Sequence, residues 1–321
     1  MTGWMIAIMD TLNYLGSVNF KPEIDVPDLT GKIILVTGGN AGLGKETVLQ
    51  LAEHNPRKIL ISARSEAKAA EVINLAKSSV PNDVDISWIP MDLASNRSII
   101  EAAEQIKTQC SRLDILILNA GVMALPAGET EIGHEIQFGT NHTGHFHLTK
   151  LLLPILLKTA EEAGSDVRIV ALSSAAHILA PKFETILDQE ELKKAHSTVR
   201  YGASKAANII FAAELARRYP SITSVAVHPG VILTDLYDAL NSRSLLANVG
   251  FKVLGVFGST VTQGASNSLW AAAGVKKEDI RNGAYYAPVG ILKDQNKWST
   301  NVDKGKCLWE WTEAELARAN L

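Results

Sequence analysis

The stretch Lys32-Ile33-Ile34-Leu35-Val36-Thr37-Gly38-Gly39-Asn40-Ala41-Gly42-Leu43-Gly44-Lys45 decides how the chain folds. Its first half is an apolar run of strand length, its second a glycine-rich turn, and a helical pattern starts at Leu43. A strand that hands over to a helix through glycines suits phosphate. Glycine lets backbone N–H groups approach a ligand, and the free amides and dipole at a helix start favour negative charge. Two turn types compete here. Gly39 to Lys45 fits G-x-x-x-x-G-K, but the next residue is Glu46, where a magnesium site needs Ser or Thr and a carboxylate would repel the phosphates. Thr37, Gly38, Gly42 and Gly44 instead spell T-G-x-x-x-G-x-G, a variant of the dinucleotide-binding turn, with Asn40 and Leu43 inside it.

Working outward, strand-length apolar runs recur at Lys58 to Ala63, Asp85 to Pro90, Ile115 to Asn119, Val167 to Leu172, Ile222 to His228 and Ala284 to Ala287. Helical patterns separate them: Leu43 to Glu53, Glu66 to Ser79, Ser95 to Cys110, Glu135 to Lys158 and Tyr201 to Tyr219. Near-continuous apolar strands alternating with helices predict an α/β chain with one doubly wound parallel sheet, covered by helices on both faces. No repeat or flexible linker divides residues 30–321, so they read as a single domain after an N-terminal arm, residues 1–29, with a C-terminal extension from about residue 289. Pro154, inside a helical stretch, predicts a kink or a fray. The apolar, irregular segment Leu236 to Gly258 reads either as ordinary packing or as a lid over an apolar substrate, and its place after the sixth strand's carboxyl end favours the lid.

The chain has 321 residues, 46% of them apolar, and a net charge of −3 with a pI near 6.3. It is long enough for a large core, and it has no global basic field that would make nucleic acid the main partner. Cys110 and Cys307 stand far apart, outside any zinc or disulfide pattern, which fits a reducing, cytoplasmic setting. Trp4, Met5, Ile8, Met9, Leu12 and Leu15 have helical spacing, yet Asp10 and Asn13 interrupt any spanning run and no secretion signal is visible. Residues 1–20 either rest on a membrane surface or pack over the protein's own core or a partner subunit. The polar face lacks the lysines of an interfacial helix, which favours packing.

In a doubly wound sheet the chemistry lies just beyond the carboxyl ends of the strands. There the sequence places Asn119-Ala120-Gly121, then Ser173, Ser174 and His177, then His228-Pro229-Gly230-Val231 with Thr234. Tyr201 opens a helix with Lys205 four positions on, which puts both on one face. An isolated Y-x-x-x-K is most often a surface pair. His142, His145 and His147 lie within one helix but point in different directions, and no carboxylate recurs at ligand spacing, so no metal site is expected.

Taken together, these pieces resemble the short-chain dehydrogenase/reductase family, and more closely its retinol-dehydrogenase-like branch. The resemblance rests on Thr37 to Gly44, Asp92 in Met91-Asp92-Leu93, Asn119-Ala120-Gly121, Asn141, Ser174, Tyr201 with Lys205, and Pro229-Gly230, all in family order. The Leu308-Trp309-Glu310-Trp311 segment and the long interval between Ser174 and Tyr201 look like that branch too. It implies a Rossmann fold and a catalytic tetrad of Asn141, Ser174, Tyr201 and Lys205. Reducing a carbonyl needs a proton at oxygen, and Tyr201 is the expected acid, with the Lys205 ammonium beside it to lower its pKa. Ser174 would donate to the substrate oxygen. By resemblance, Lys205 also bonds the nicotinamide ribose, Asn141 holds a relay water, Asp92 and Leu93 meet the adenine, and Val231 meets the carboxamide with Thr234 near the phosphates. Asp92 reads alternatively as a helix cap, Asn119 as a brace between strands, and His177 as structural or substrate-facing.

Cofactor choice turns on the end of the second strand. An NAD enzyme places a carboxylate there, whereas this chain has Ile61-Ser62-Ala63-Arg64-Ser65, whose Arg64 with Ser62 or Ser65 suits a 2′-phosphate. The expectation is an NADP(H)-dependent oxidoreductase that interconverts an apolar ketone or aldehyde and its alcohol, working as a reductase. The lid and the insertion from Ala175 to Arg200 are expected to build its pocket. Family members commonly pair through the helices starting near Glu135 and Tyr201, so a homodimer is a further expectation. A cofactor-binding regulatory protein without turnover and a P-loop phosphotransferase are the rivals; the full tetrad disfavours the first and Glu46 the second.

Overall fold

A computed structural model describes residues 17–80, 84–230, 260–293 and 296–319. Residues 1–16 of the arm, the lid at 236–258, Val231 and Thr234 lie outside the described residues. The strands are β1 Ile33–Thr37, β2 Lys58–Ala63, β3 Asp85–Pro90, β4 Ile115–Leu118, β5 Arg168–Leu172, β6 Thr223–Val227, β7 Tyr285–Ala287 and β8 Ile291–Leu292. They form one eight-stranded sheet in the order β3-β2-β1-β4-β5-β6-β7-β8. The strands β1 to β7 run parallel, and the short β8 closes the edge antiparallel to β7.

Alternation along the buried strands sends side chains to two cores. Ile33, Leu35, Leu116, Ile169 and Ala171 face one side, while Ile34, Val36, Ile115, Ile117 and Val170 face the other. The second side is covered by α2 (Gly42–Ala52), α3 (Glu66–Ser79) and a helix at Val261–Leu269. On the first side lie α4 (Asn96–Gln109) and α5, which runs through Ile136–Phe138, a π-turn at Gly139–Thr143 and Gly144–Ala160. Beside them lie α8 (Ser197–Arg218) and a C-terminal helix, α10 (Val302–Arg318). The remaining helices are α1 (Pro22–Asp25), α6 (Phe183–Leu187) and α7 (Gln189–Lys194), and the helix at Val261–Leu269 is α9.

The described elements bear on three sequence expectations. The Tyr201 helix begins a turn earlier, at Ser197, because His196 caps it by accepting from Thr198 N–H, so Tyr201 stands in the second turn rather than at the opening. Pro154 lies inside α5, in the last two turns before its end at Ala160. The insertion carries a 3-10 turn at Ala175–Leu179, which follows directly on the end of β5, and the helices α6 and α7, and it docks against residues 125–137.

Candidate active site

Because β1 sits between β2 and β4, the chain crosses from one half of the sheet to the other beside β1, and the strand ends diverge there. A cleft of about 560 Å³ opens at this edge. Gly38, Asn40, Gly42 and Leu43 line it from the glycine loop, Arg64 from beyond β2, and Asp92 with Leu93 from beyond β3. Asn119, Ala120 and Gly121 follow β4, Ser174 follows β5, Pro229 and Gly230 follow β6, and α8 presents Tyr201 and Lys205. Thr37 lies buried beneath this surface.

The loop's glycines are dictated by close approach. Gly38 has φ +66°, and a Cβ on it would stand 3.0 Å from Ala120 Cα. At Gly44 a Cβ would collide with the Gly38 carbonyl oxygen and the Asn119 amide. That amide donates to Thr37 O at 2.8 Å, so the side chain of Asn119 braces β1 against β4 while its surface faces the cleft. The backbone N–H of Ala120 adds a bond to Thr37 Oγ1 at 2.9 Å.

Around Tyr201 the polar groups are held from several elements. Lys205 Nζ lies 5.5 Å from the Tyr201 ring centroid and donates to Leu172 O at 3.0 Å. Burial pushes its pKa down to about 8. Ser174 caps the 3-10 turn, its Oγ accepting from Ala176 N–H at 3.2 Å, and Ser173 Oγ donates to Lys205 O at 2.8 Å. Asn141 sits within the π-turn, fully buried. Its Oδ1 accepts from Val122 N–H at 2.7 Å, and its Nδ2 donates to Val122 O and to Ser204 Oγ, each at 3.0 Å. A Cβ on Gly121 would lie 3.2 Å from Asn141 Oδ1 and 3.5 Å from Lys205 Nζ, so a side chain there would press on the Asn141 amide. Ser174, Tyr201 and Lys205 thus meet at one end of the cleft, with Asn141 behind Gly121.

At the other end, Arg64 is exposed on the cleft rim and forms no ion pair among the described residues. Ser62 lines this end too, its Oγ buried with no hydrogen-bond partner among the described residues. Ser65 caps α3 by accepting from Lys68 N–H, which leaves its O–H able to donate to a ligand. Lys68 also lines the rim and was not singled out from sequence; its place four positions after Arg64, in the first turn of α3, was the available signal. The cap of α4 is Ser95, whose Oγ accepts from Ser98 N–H, which leaves Asp92 on the cleft rather than in the cap.

The apolar wall near Tyr201 comes from Val122, Leu125, Ile136 and Leu172. None of the residues from Ala175 to Arg200 lines this described part of the cleft; the other segment expected to build the pocket, Leu236 to Gly258, lies outside the described residues. His177 joins Ser174 O at 2.8 Å to Asn296 Nδ2 at 3.1 Å, a structural arrangement. Among the described residues no three of His, Cys, Asp or Glu gather as metal ligands. His142 instead sits among Phe138, Phe146 and Phe211, where burial takes its pKa down to about 3.

A doubly wound sheet with a glycine loop at one end of its cleft and a Tyr-Lys pair at the other is the architecture of a nucleotide-dependent oxidoreductase. The family model described as short chain dehydrogenase matches residues 32–244, and the chain belongs to that family. A short-chain dehydrogenase/reductase of Armillaria gallica is 39% identical over 295 residues, covering 91% of this chain and 92% of the relative. Retinol dehydrogenase 12 of Mus musculus is 35% identical over 262 residues, covering 81% and 78%. Among solved structures, an uncharacterized protein from Mycobacterium paratuberculosis superposes with a TM-score of 0.69 at 26% identity, covering 92% of this chain and 97% of that one.

Proposed function

We propose that this oxidoreductase uses NADP(H) and reduces an apolar ketone or aldehyde to its alcohol. The observation that carries the reading is the two-ended cleft: Tyr201, Lys205 and Ser174 at one end, and Arg64 and Lys68 beside Ser62 at the other. The close-packed cradle of Gly38 and Gly44 fits a pyrophosphate, and two cations without a carboxylate at the end of β2 fit a 2′-phosphate. Bound there, NADPH supplies the hydride. The chain's own residues manage the proton. Tyr201 donates it to the substrate oxygen, the cationic Lys205 beside the ring eases its departure, and Ser174 donates a hydrogen bond that orients the same oxygen. Asn141 holds Val122 and Ser204 in place behind them. The wall of Val122, Leu125 and Ile136 favours a lipophilic substrate. The retinol dehydrogenase relative supports that chemistry.

The test is a screen of lipophilic carbonyl compounds with NADPH and NADH, run with Tyr201→Phe and Arg64→Asp proteins. Tyr201→Phe should bind NADPH and lose turnover by several orders of magnitude. Arg64→Asp should lose affinity for NADPH and not for NADH. Turnover surviving in the phenylalanine variant removes Tyr201 as the acid, and unchanged NADPH affinity in the aspartate variant removes the 2′-phosphate assignment.

A further inference from the structure

We propose that His145 is a positioning residue of this active site: it clamps the end of β1, where the glycine loop starts, to the backbone carbonyl of Asn141, so that loop and tetrad helix keep one fixed spacing. The inference rests on reading the cleft as a dinucleotide-dependent active site.

His145 lies one helical turn after Asn141 in α5 and is 1% exposed. Its Nδ1 is 2.9 Å from Asn141 O, and its Nε2 is 2.9 Å from Thr37 Oγ1. A carbonyl oxygen only accepts, so the ring proton sits on Nδ1 and Nε2 must accept from the Thr37 hydroxyl. Burial, with the Lys205 charge nearby, takes the ring pKa down to about 4, so this neutral tautomer persists at working pH. The Thr37 hydroxyl has one hydrogen. Its alternative acceptor, Ile117 O, is 3.4 Å away, and the shorter contact is the one to His145. The same oxygen accepts from Ala120 N–H at 2.9 Å.

The result is an unbroken relay of directed bonds, Ala120 N–H to Thr37 to His145 to Asn141 O. It ties three elements that each supply a wall of the cleft: Thr37 precedes Gly38, Ala120 precedes Gly121, and Asn141 braces Val122. An apolar ring would fill the same space. Only a side chain with one donor and one acceptor on opposite edges satisfies both Thr37 and Asn141 in a buried position.

The experiment is a double-mutant cycle on the full chain with His145→Leu, Thr37→Val and the combination, and with Thr37→Ser as the conservative variant. NADPH and NADH affinities are measured by calorimetry and folding is checked by thermal melts. Each single change should weaken the better-bound dinucleotide by roughly tenfold, the scale of a lost buried hydrogen bond. The double variant should be no weaker than the poorer single, and Thr37→Ser should keep wild-type affinity. A merely structural histidine would lower the melting temperature and leave affinity unchanged, and that outcome overturns the clamp. So do additive losses, which would mean that Thr37 and His145 act apart. Should His145→Leu fail to fold, the contrast between Thr37→Val and Thr37→Ser decides: equal affinities sink the proposal. A wild-type chain that binds neither dinucleotide overturns the active-site reading itself, whereas binding without carbonyl turnover overturns the reductase reading and leaves this cycle intact.

Discussion

Lys205 shows function and stability opposed within one side chain. Its ammonium is 4% exposed, and burial takes its pKa from the ordinary 10.5 to about 8. Below about pH 8 both folded and unfolded chains hold the proton, and the full cost of burying the charge, about 3 kcal/mol, stands. Between about 8 and 10.5 the unfolded chain alone keeps the proton, so this residue's contribution improves as pH rises through that window. Lys205→Met should therefore be more stable than wild type at pH 7 by up to about 3 kcal/mol, with the gap closing toward pH 10.5, while turnover is lost. Leu172 O still accepts from Asn208 Nδ2 at 3.0 Å, so the substitution strands no carbonyl. Urea titrations at pH 7 and pH 10 read this directly, and a methionine variant less stable at pH 7 refutes it. At this scale the sequence was highly legible, because Gly38 and Gly44 stand where only a missing Cβ fits, and Tyr201 and Lys205 carry their own spacing. Lys68 escaped because a lysine in the first turn of an amphipathic helix has the look of any solvated residue.

Among the elements, the insertion shows what local pattern leaves out. Arg200 and Glu135 form a buried ion pair at 2.6 Å across 65 positions of chain. Arg200 also donates to Leu125 O at 2.9 Å, while Glu135 Oε2 caps the start of α5 by accepting from the N–H groups of Gln137 and Phe138. Gln189 from α7 accepts the Glu135 N–H, and Ser197 accepts from Gln137. These contacts draw the insertion sideways and hold Leu125 against the cleft. No periodicity in the sequence announces a pairing so distant. Arg200→Met leaves the Glu135 carboxylate buried and alone, so it should destabilise the fold by about 3–5 kcal/mol. Adding Glu135→Gln should restore part of that loss. Denaturant melts of the two single variants and the double check this; equal stability of Arg200→Met and wild type would mean that the pair holds nothing. With Leu125 loosened, KM for the carbonyl substrate should rise more than the dissociation constant for NADPH.

At the scale of the whole molecule, the decisive element is α10, which the sequence marked only as the segment around Trp309 and Trp311. It lies across α5 and α8, the helices through which a homodimer was expected. Trp309 is 2% exposed, with its ring against Phe146, Phe211 and Tyr219, and Lys150 and Arg218 cover its faces. Trp311 stacks on His134, and Lys150 bonds Glu313 at 2.6 Å. The apolar surface of α5 and α8 around Phe146 and Phe211 is thus already buried by the chain's own C-terminal helix, and pairing through that surface would first have to peel α10 away. Truncating Trp309 alone should cost about 3–5 kcal/mol, which sets the scale of that displacement. Sedimentation of the full chain at micromolar concentration should therefore show no dimer that uses this face. Cys307 is exposed on α10 and reports on it independently. Its alkylation rate should be the same at low and high protein concentration, whereas progressive protection would place a second copy over α10 and overturn the occlusion.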